Sequence, residues 1–261
     1  MRFGICINGD PSLIAKTKEY GYDYVEIALF NFAEFSDEKI EEIRAEMERL
    51  GIWAETCNCF FFGFQKGDLT SGNVDLDAIG DYIRMAFRKA SRLGLKIAVI
   101  GSGAARSILD EDKREEGEEN FAKVLRLAGD IGAEFGIRIV IEPLNPKECN
   151  EINTVAEGIA MCKRANHPNV AVLADFFHVA MSGEGLDTIR TCGDVLQHVH
   201  IARGYEDRNM PIKPEDQADV AAWAAALKEN GYDARISLEG GMWGDWDGTA
   251  IKMREVLKAF E

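Results

Sequence analysis

Four residues of the kinds that bind metal ions stand at the ends of β-type runs in the second half of the chain. They are Glu142 in IVIEPLN, Asp175 in VLADFFH, His200 in HVHIA and Glu239 in ISLEGG. If these runs are parallel strands of one barrel, their C-terminal ends share one rim and the four side chains converge there. A single strand-end carboxylate more often accepts a hydrogen bond from a loop amide or an arginine, so the inference depends on the whole set.

Three carboxylates and an imidazole in a buried barrel mouth would repel one another and lose hydration. Such a cluster is costly unless a cation compensates the charge or the pKa values shift strongly. The sequence therefore predicts one bound divalent metal ion. A shell of oxygen ligands with one nitrogen favours Mn²⁺, our first expectation, or Mg²⁺, with Co²⁺ and Zn²⁺ as alternatives.

A second histidine, His198, lies two residues before His200 and therefore faces the same side of the strand. We expect His200, which is nearer the end of the strand, to be the ligand. His198 is expected to be a hydrogen-bonded core residue that supports the site. The alternative is that His198 binds the metal instead.

The elements that would position these residues form a repeating pattern. In five places a helical stretch ends, a glycine follows and a short β-type run begins, at Gly21, Gly51, Gly94, Gly136 and Gly231. Glycine closes helices in the left-handed conformation, and Val/Ile-rich runs are typical of parallel strands buried on both faces. Three more β-type runs lack this glycine, at residues 2–7, 170–174 and 196–202.

These eight β-type runs alternate with helical stretches and predict an α/β fold, a single (β/α)8 TIM barrel. Ser36 is a candidate N-cap, and Thr154 with Glu157 forms a capping-box pattern. Since no low-complexity linker divides the chain, we expect one domain over residues 1–261. An open, doubly wound sheet is the alternative architecture.

The ordered motifs resemble a known family. Glu142, the DFFH of Asp175 to His178, the HVH of His198 to His200 and the SLEG around Glu239 are similar to those of the sugar phosphate isomerase/epimerase family. This is the group of xylose-isomerase-like TIM barrels that contains D-tagatose 3-epimerase and D-psicose 3-epimerase. The resemblance extends over nearly the whole chain, and the order and spacing of the motifs are its most specific part.

The resemblance implies roles for individual residues. One Mn²⁺-like ion would be held by Glu142, Asp175, His200 and Glu239, and the two glutamates would also be the catalytic acid/base pair. His178 would bind the sugar near its reacting carbonyl. Glu148 would bind sugar hydroxyls or support Glu142. Arg208 would lie near the substrate, but its loop, DRNMPIKPED, departs from the Pro-Gly that many relatives carry, so a solvated loop residue is the alternative.

The chemistry expected of such a site is proton transfer next to a carbonyl group. A metal bound by a ketone oxygen and the neighbouring hydroxyl acidifies the intervening C–H and stabilises an enediolate. Epimerisation needs two groups on opposite faces, which the paired glutamates favour slightly over aldose–ketose isomerisation. We predict a metal-dependent epimerase or isomerase of ketoses or sugar phosphates. The alternatives are an inosose-dehydratase-type lyase, a hydroxypyruvate-type isomerase and an inactive sugar-binding protein.

The amino-acid composition limits the classes of molecule that the protein is expected to bind. The 261 residues carry 30 Lys+Arg and 45 Asp+Glu, a net charge of −15, and show no basic cluster, which disfavours nucleic acid. No apolar run approaches a membrane span, and the N-terminus lacks a signal-peptide core. Six cysteines without a secretory signal indicate a reducing compartment. We expect a cytoplasmic protein whose partner is a sugar or sugar phosphate, with homo-oligomer formation left open.

Two further segments could contribute side chains to the predicted mouth of the barrel. Phe60, Phe61, Phe62 and Phe64 in CNCFFFGF either line a sugar site or pack their loop onto a helix. GSGAAR, with Ser102 and Arg106, is a candidate for holding a phosphate or sugar hydroxyls.

Overall fold

Eight parallel strands close into a barrel in sequence order in the computed structural model, which describes residues 1–261. The strands are β1 (Arg2–Cys6), β2 (Tyr24–Ala28), β3 (Trp53–Asn58), β4 (Ile97–Ile100), β5 (Arg138–Ile141), β6 (Val170–Asp175), β7 (Leu196–Ile201) and β8 (Arg235–Leu238). β1 pairs with β8 in parallel, so the sheet has no free edge. The predicted (β/α)8 barrel is confirmed, and the open-sheet alternative is excluded.

Ten α-helices connect the strands. They are α1 (Leu13–Glu19), α2 (Leu29–Glu34), α3 (Asp37–Leu50), α4 (Leu76–Arg92), α5 (Arg114–Phe135), α6 (Val155–Ala165), α7 (Phe176–Met181), α8 (Asp187–Thr191), α9 (Gln217–Asn230) and α10 (Trp246–Val256). The short helices α2 and α7 begin directly where β2 and β6 end. None of the ten helices has the length and apolar character that a membrane span requires.

The local signals in the sequence correspond to real helix ends. The hydroxyl of Ser36 accepts a hydrogen bond from the Lys39 amide at the start of α3. Thr154 and Glu157 form the expected capping box of α6. All five predicted glycine joints have positive φ, for example 69° at Gly136, which closes α5. Helix termination is therefore encoded locally, as the sequence pattern predicted.

The barrel interior is apolar on one side and polar on the other. Along β4, β5 and β6 the inward-facing side chains form a small separate cluster of Ile97, Val99, Val140, Ala171 and Leu173. The inward positions of β2, β3, β7 and β8 are instead occupied by fully buried polar residues, namely Glu26, Thr56, His198, His200 and Ser237. Because successive residues of a strand face opposite sides, their apolar neighbours pack outward against the helices. The polar half of the interior lies directly below the predicted site.

Candidate metal centre

The structure brings together the four residues for which metal binding was predicted. Glu142 follows β5, Asp175 ends β6, His200 lies near the end of β7 and Glu239 follows β8. One ligand atom from each lies within 4.8 Å of those of the other three. The group sits at the C-terminal rim of the barrel, where the side chains of parallel strand ends converge.

His200 connects the rim to the interior of the barrel. Its Nδ1 lies 3.1 Å from Glu142 Oε1 and 2.9 Å from Glu239 Oε2. Its Nε2 lies 2.9 Å from Oε1 of Glu26, a fully buried residue of β2. The two ring nitrogens therefore face different carboxylates, and Nδ1 is the nitrogen turned toward Glu142 and Glu239.

His198 lies one layer deeper than His200. Its Nδ1 lies 3.1 Å from the carbonyl oxygen of Arg235, and its Nε2 lies 3.0 Å from Glu26 Oε2. Both nitrogens thus have partners inside the barrel, and neither faces the rim. This placement matches the expected supporting histidine rather than the alternative in which His198 binds the metal.

Arg208 points into the same cluster. Its Nη2 donates to Asp175 Oδ2 and to Glu239 Oε2, both at 2.6 Å, and its guanidinium lies 4.8 Å over the ring of Phe177. The backbone of Arg208 has a positive φ of 43°, which is uncommon for a residue with a side chain. The structure therefore places this arginine against the carboxylates and not in solvent.

The pKa shifts within the cluster indicate that it favours a bound positive charge. Burial and the neighbouring Glu239 raise the pKa of Glu142. Burial also opposes ionisation of Glu239, but His200 and Arg208 outweigh it and lower its pKa to about 2. Burial disfavours the charged form of His200, yet Glu26 and Glu239 raise its pKa well above the usual value. Three oxygen donors and one nitrogen donor around this negative potential fit a hard divalent ion.

Glu26 remains ionised despite its complete burial. Burial raises the pKa of its carboxyl group, but His200 and His198 more than reverse this effect and hold the pKa well below the usual range. Thr56 Oγ1 donates a further hydrogen bond to Glu26 Oε2 at 2.6 Å. Glu26 is thus a stable carboxylate directly beneath the rim.

His178 offers an unused hydrogen-bond donor at the rim. Its Nδ1 accepts from the backbone N–H of Asn145 at 3.1 Å, so the proton of the neutral ring resides on Nε2. That Nε2 is buried, has no hydrogen-bond partner and lies 3.7 Å from Asp175 Oδ2. A buried N–H without a partner is costly, and a ligand oxygen at this position would satisfy it.

Glu148 lies beside this histidine at the solvent edge of the site. Its Oε1 accepts from Asn145 Nδ2 at 2.8 Å and is 4.0 Å from His178 Nδ1, while 43% of its side chain is exposed. All three residues expected to contact substrate, His178, Glu148 and Arg208, therefore border the candidate metal centre.

Three contributing residues were not identified from the sequence. Glu26 was the one charged residue within the apolar run YVEIA, and Asn145 stands three residues after Glu142. Asn58, at the end of β3, donates a short hydrogen bond to Glu239 Oε1. A charge inside an otherwise buried strand was a usable signal for Glu26, whereas the roles of the two asparagines depend on contacts made only in the folded chain.

The two additional segments have structural roles. Phe60 and Phe61 are buried and pack against Tyr82 of α4, which is the loop-packing alternative, whereas Phe62 is 63% exposed and stacks on Phe30. Arg106 of GSGAAR is fully buried and donates to the carbonyl oxygens of Gly101 (2.7 Å) and Glu142 (2.8 Å). Arg106 therefore braces the loops after β4 and β5, and its guanidinium is not exposed to a phosphate.

Comparisons with known proteins agree with the barrel fold. A family model described as "Xylose isomerase-like TIM barrel" matches residues 14–260. L-ribulose 3-epimerase of Methylomonas sp. (strain DH-1) is 29% identical over 245 residues, covering 88% of this chain and 78% of that protein. D-psicose 3-epimerase of Agrobacterium fabrum is 30% identical over 207 residues, covering 77% and 69%. The crystal structure of D-allulose 3-epimerase from Methylomonas sp. in complex with D-allulose has the same fold, with a TM-score of 0.83 at 23% identity over 100% of this chain and 97% of that one.

Proposed function

Since this chain belongs to the xylose isomerase-like TIM barrel family, we propose that it is a divalent-metal-dependent ketose 3-epimerase. The observation that carries the proposal is the pairing of Glu142 and Glu239, which reach one centre from β5 and β8, strands three positions apart around the barrel. Relatives at 29–30% identity are named 3-epimerases of L-ribulose and D-psicose. The substrate class we infer is therefore a free ketose.

The metal site is proposed to consist of Glu142, Asp175, His200 and Glu239. When bound there, a divalent ion would polarise the carbonyl oxygen and the adjacent hydroxyl of the sugar, acidifying the C–H between them. Mn²⁺ is our first expectation because the donor set combines three carboxylates with one imidazole.

The two glutamates would carry out the proton transfers. The carboxylate of one takes the proton from the carbon beside the carbonyl, and the electron pair of the broken C–H bond moves toward the carbonyl oxygen. The carboxylic acid of the other returns a proton to the opposite face of the same carbon, so the configuration inverts and the substrate gains and loses one proton. Two groups from different strands meet this need, whereas a single shuttling base would return the proton to the same face.

The surrounding residues would bind and orient the sugar. His178 Nε2 is a buried donor with no partner in the protein, and we assign it to an oxygen next to the reacting carbon. Glu148, half-exposed at the edge of the site, would accept a hydrogen bond from a sugar hydroxyl. Arg208, in contact with Asp175 and Glu239, would donate to another hydroxyl.

The decisive experiment is hydrogen exchange in D₂O. D-psicose and L-ribulose are incubated with Mn²⁺ and the protein, and NMR locates the carbon at which deuterium appears. Exchange at C3 with formation of the epimer is expected. Exchange at C1 or C2 would instead indicate an aldose–ketose isomerase, loss of water a dehydratase, and no reaction with any tested ketose would refute the proposal.

A further inference from the structure

Glu26 is a fully buried carboxylate for which the proposed reaction has no use. It lies on β2, below the rim, and its only charged or titratable hydrogen-bond partners are His198 and His200. No lysine or arginine compensates it. Burying a carboxylate costs free energy unless the group is paired and hydrogen-bonded. The partners of Glu26 therefore indicate its role.

These contacts determine how the His200 ring is presented. A carboxylate can only accept hydrogen bonds, so Glu26 Oε1 at 2.9 Å selects the form of His200 that carries a proton on Nε2. Nδ1, on the other side of the ring, is then the nitrogen that faces Glu142 and Glu239 and whose lone pair would be available to a metal ion bound there. His198 packs edge-on against the same ring, with centroids 4.9 Å apart, and so limits the space in which that ring can turn.

We propose that Glu26 is a positioning residue that orients His200 and fixes its Nε2–H form, so that Nδ1 binds the metal. The inference rests on the proposed function because it concerns a ligand of the proposed metal site. A carboxylate that accepts from the distal nitrogen of a metal-binding histidine both orients the ring and raises the basicity of the ligating nitrogen. Loss of such a partner typically lowers metal affinity by about 10- to 100-fold.

The first test measures Mn²⁺ affinity by isothermal titration calorimetry. Glu26→Gln keeps the shape and one acceptor oxygen but removes the charge, and Glu26→Leu removes the acceptor altogether. We expect the dissociation constant to rise about tenfold in the first variant and up to about 100-fold in the second. Ser237→Ala is the matched control: Ser237 is equally buried, and its hydroxyl group lies within hydrogen-bond distance of Tyr24, Thr56 and His198 but not of Glu26 or His200, so the affinity should stay within about threefold.

A purely structural role for Glu26 would have a different signature. It would lower the melting temperature of the metal-free variants while leaving the Mn²⁺ dissociation constant of the folded protein unchanged. Melting curves of the metal-free proteins are therefore recorded in parallel. Wild-type affinity for Mn²⁺ in both folded variants would overturn the inference.

The second test detects the proton on Nε2 of His200 by NMR. The chain has only four histidines, so ¹⁵N-histidine labelling resolves the ring nitrogens in metal-free and Mg²⁺-loaded protein. The wild type should show an exchange-protected Nε2–H of His200 in both states, and Glu26→Leu should lose this protection. An unprotonated Nε2 in the wild type would overturn the inference. If the wild type binds no Mn²⁺, the proposed metal dependence fails, while the state of Nε2 still decides the role of Glu26.

Discussion

Replacing Glu151 with glutamine should make the stability of the protein less sensitive to pH. Glu151 lies in the loop after β5, is only 2% exposed, and its nearest cation is Arg106, with Nη1 3.5 Å from Oε2. Its other oxygen, Oε1, has no hydrogen-bond partner. Burial raises the pKa of this carboxyl group to about 7, and Arg106 only partly opposes that effect.

The sign and size of the effect follow from linkage. Between the ordinary pKa of 4.5 and the folded-state value of about 7, the folded protein holds a proton that the unfolded chain has lost. The contribution of this proton to the unfolding free energy is fully present below pH 4.5, declines as the pH rises, and is lost above about pH 7. At 1.36 kcal/mol per pH unit, this interval corresponds to about 3 kcal/mol of unfolding free energy.

Glu151→Gln should retain this stabilisation because glutamine stays uncharged. From pH 5 to pH 8, the variant should therefore gain about 2–3 kcal/mol in unfolding free energy over the wild type. The corresponding gain in melting temperature is roughly 4–12 °C for a chain of this size. Thermal and urea unfolding of metal-free protein at both pH values provide the assay, and the exposed Glu19→Gln serves as the control for removing one negative charge.

An equal stability difference between Glu151→Gln and the wild type at pH 5 and pH 8 would show that the pKa of Glu151 is not raised in the folded protein. A difference that reversed, with the wild type more stable at pH 8, would show that Arg106 holds Glu151 as a stabilising ion pair. The control variant should show no comparable pH-dependent change, because its carboxylate is solvated in both states.

Three further outcomes test the site. Free Mn²⁺ at about 100 times its dissociation constant should raise the unfolding free energy by about 2.7 kcal/mol and the melting temperature by roughly 5–11 °C, whereas an unchanged melting temperature would argue against the metal site. Glu142→Gln and Glu239→Gln should each lower kcat by roughly 10²- to 10⁴-fold, and a variant that keeps the wild-type rate removes its residue from the mechanism. His178→Asn should lower kcat/KM by roughly tenfold without changing Mn²⁺ affinity more than about threefold, and loss of Mn²⁺ binding would contradict its assignment to the substrate.

Local patterns in the sequence were sufficient to predict the barrel architecture and the residues that meet at its C-terminal rim. Helix caps such as Thr154 with Glu157, glycine joints such as Gly136, and apolar runs are all formed by residues close together in the chain. Eight apolar runs that alternate with helical stretches predict a parallel barrel, and a parallel barrel brings every strand end to one rim. The sequence therefore predicts that Glu142 and Asp175 lie side by side.

Tertiary structure decided which groups meet inside the barrel and how they are oriented. Glu26 and His200 are 174 residues apart in the sequence, and they touch because the barrel closes with both side chains facing inward. The direction of Arg208 into the carboxylates and the unpaired Nε2 of His178 also depend on loop conformations that no local pattern specifies. Strand periodicity indicates which face a side chain occupies, but its partners across the barrel are set by closure and register, which are properties of the whole sheet.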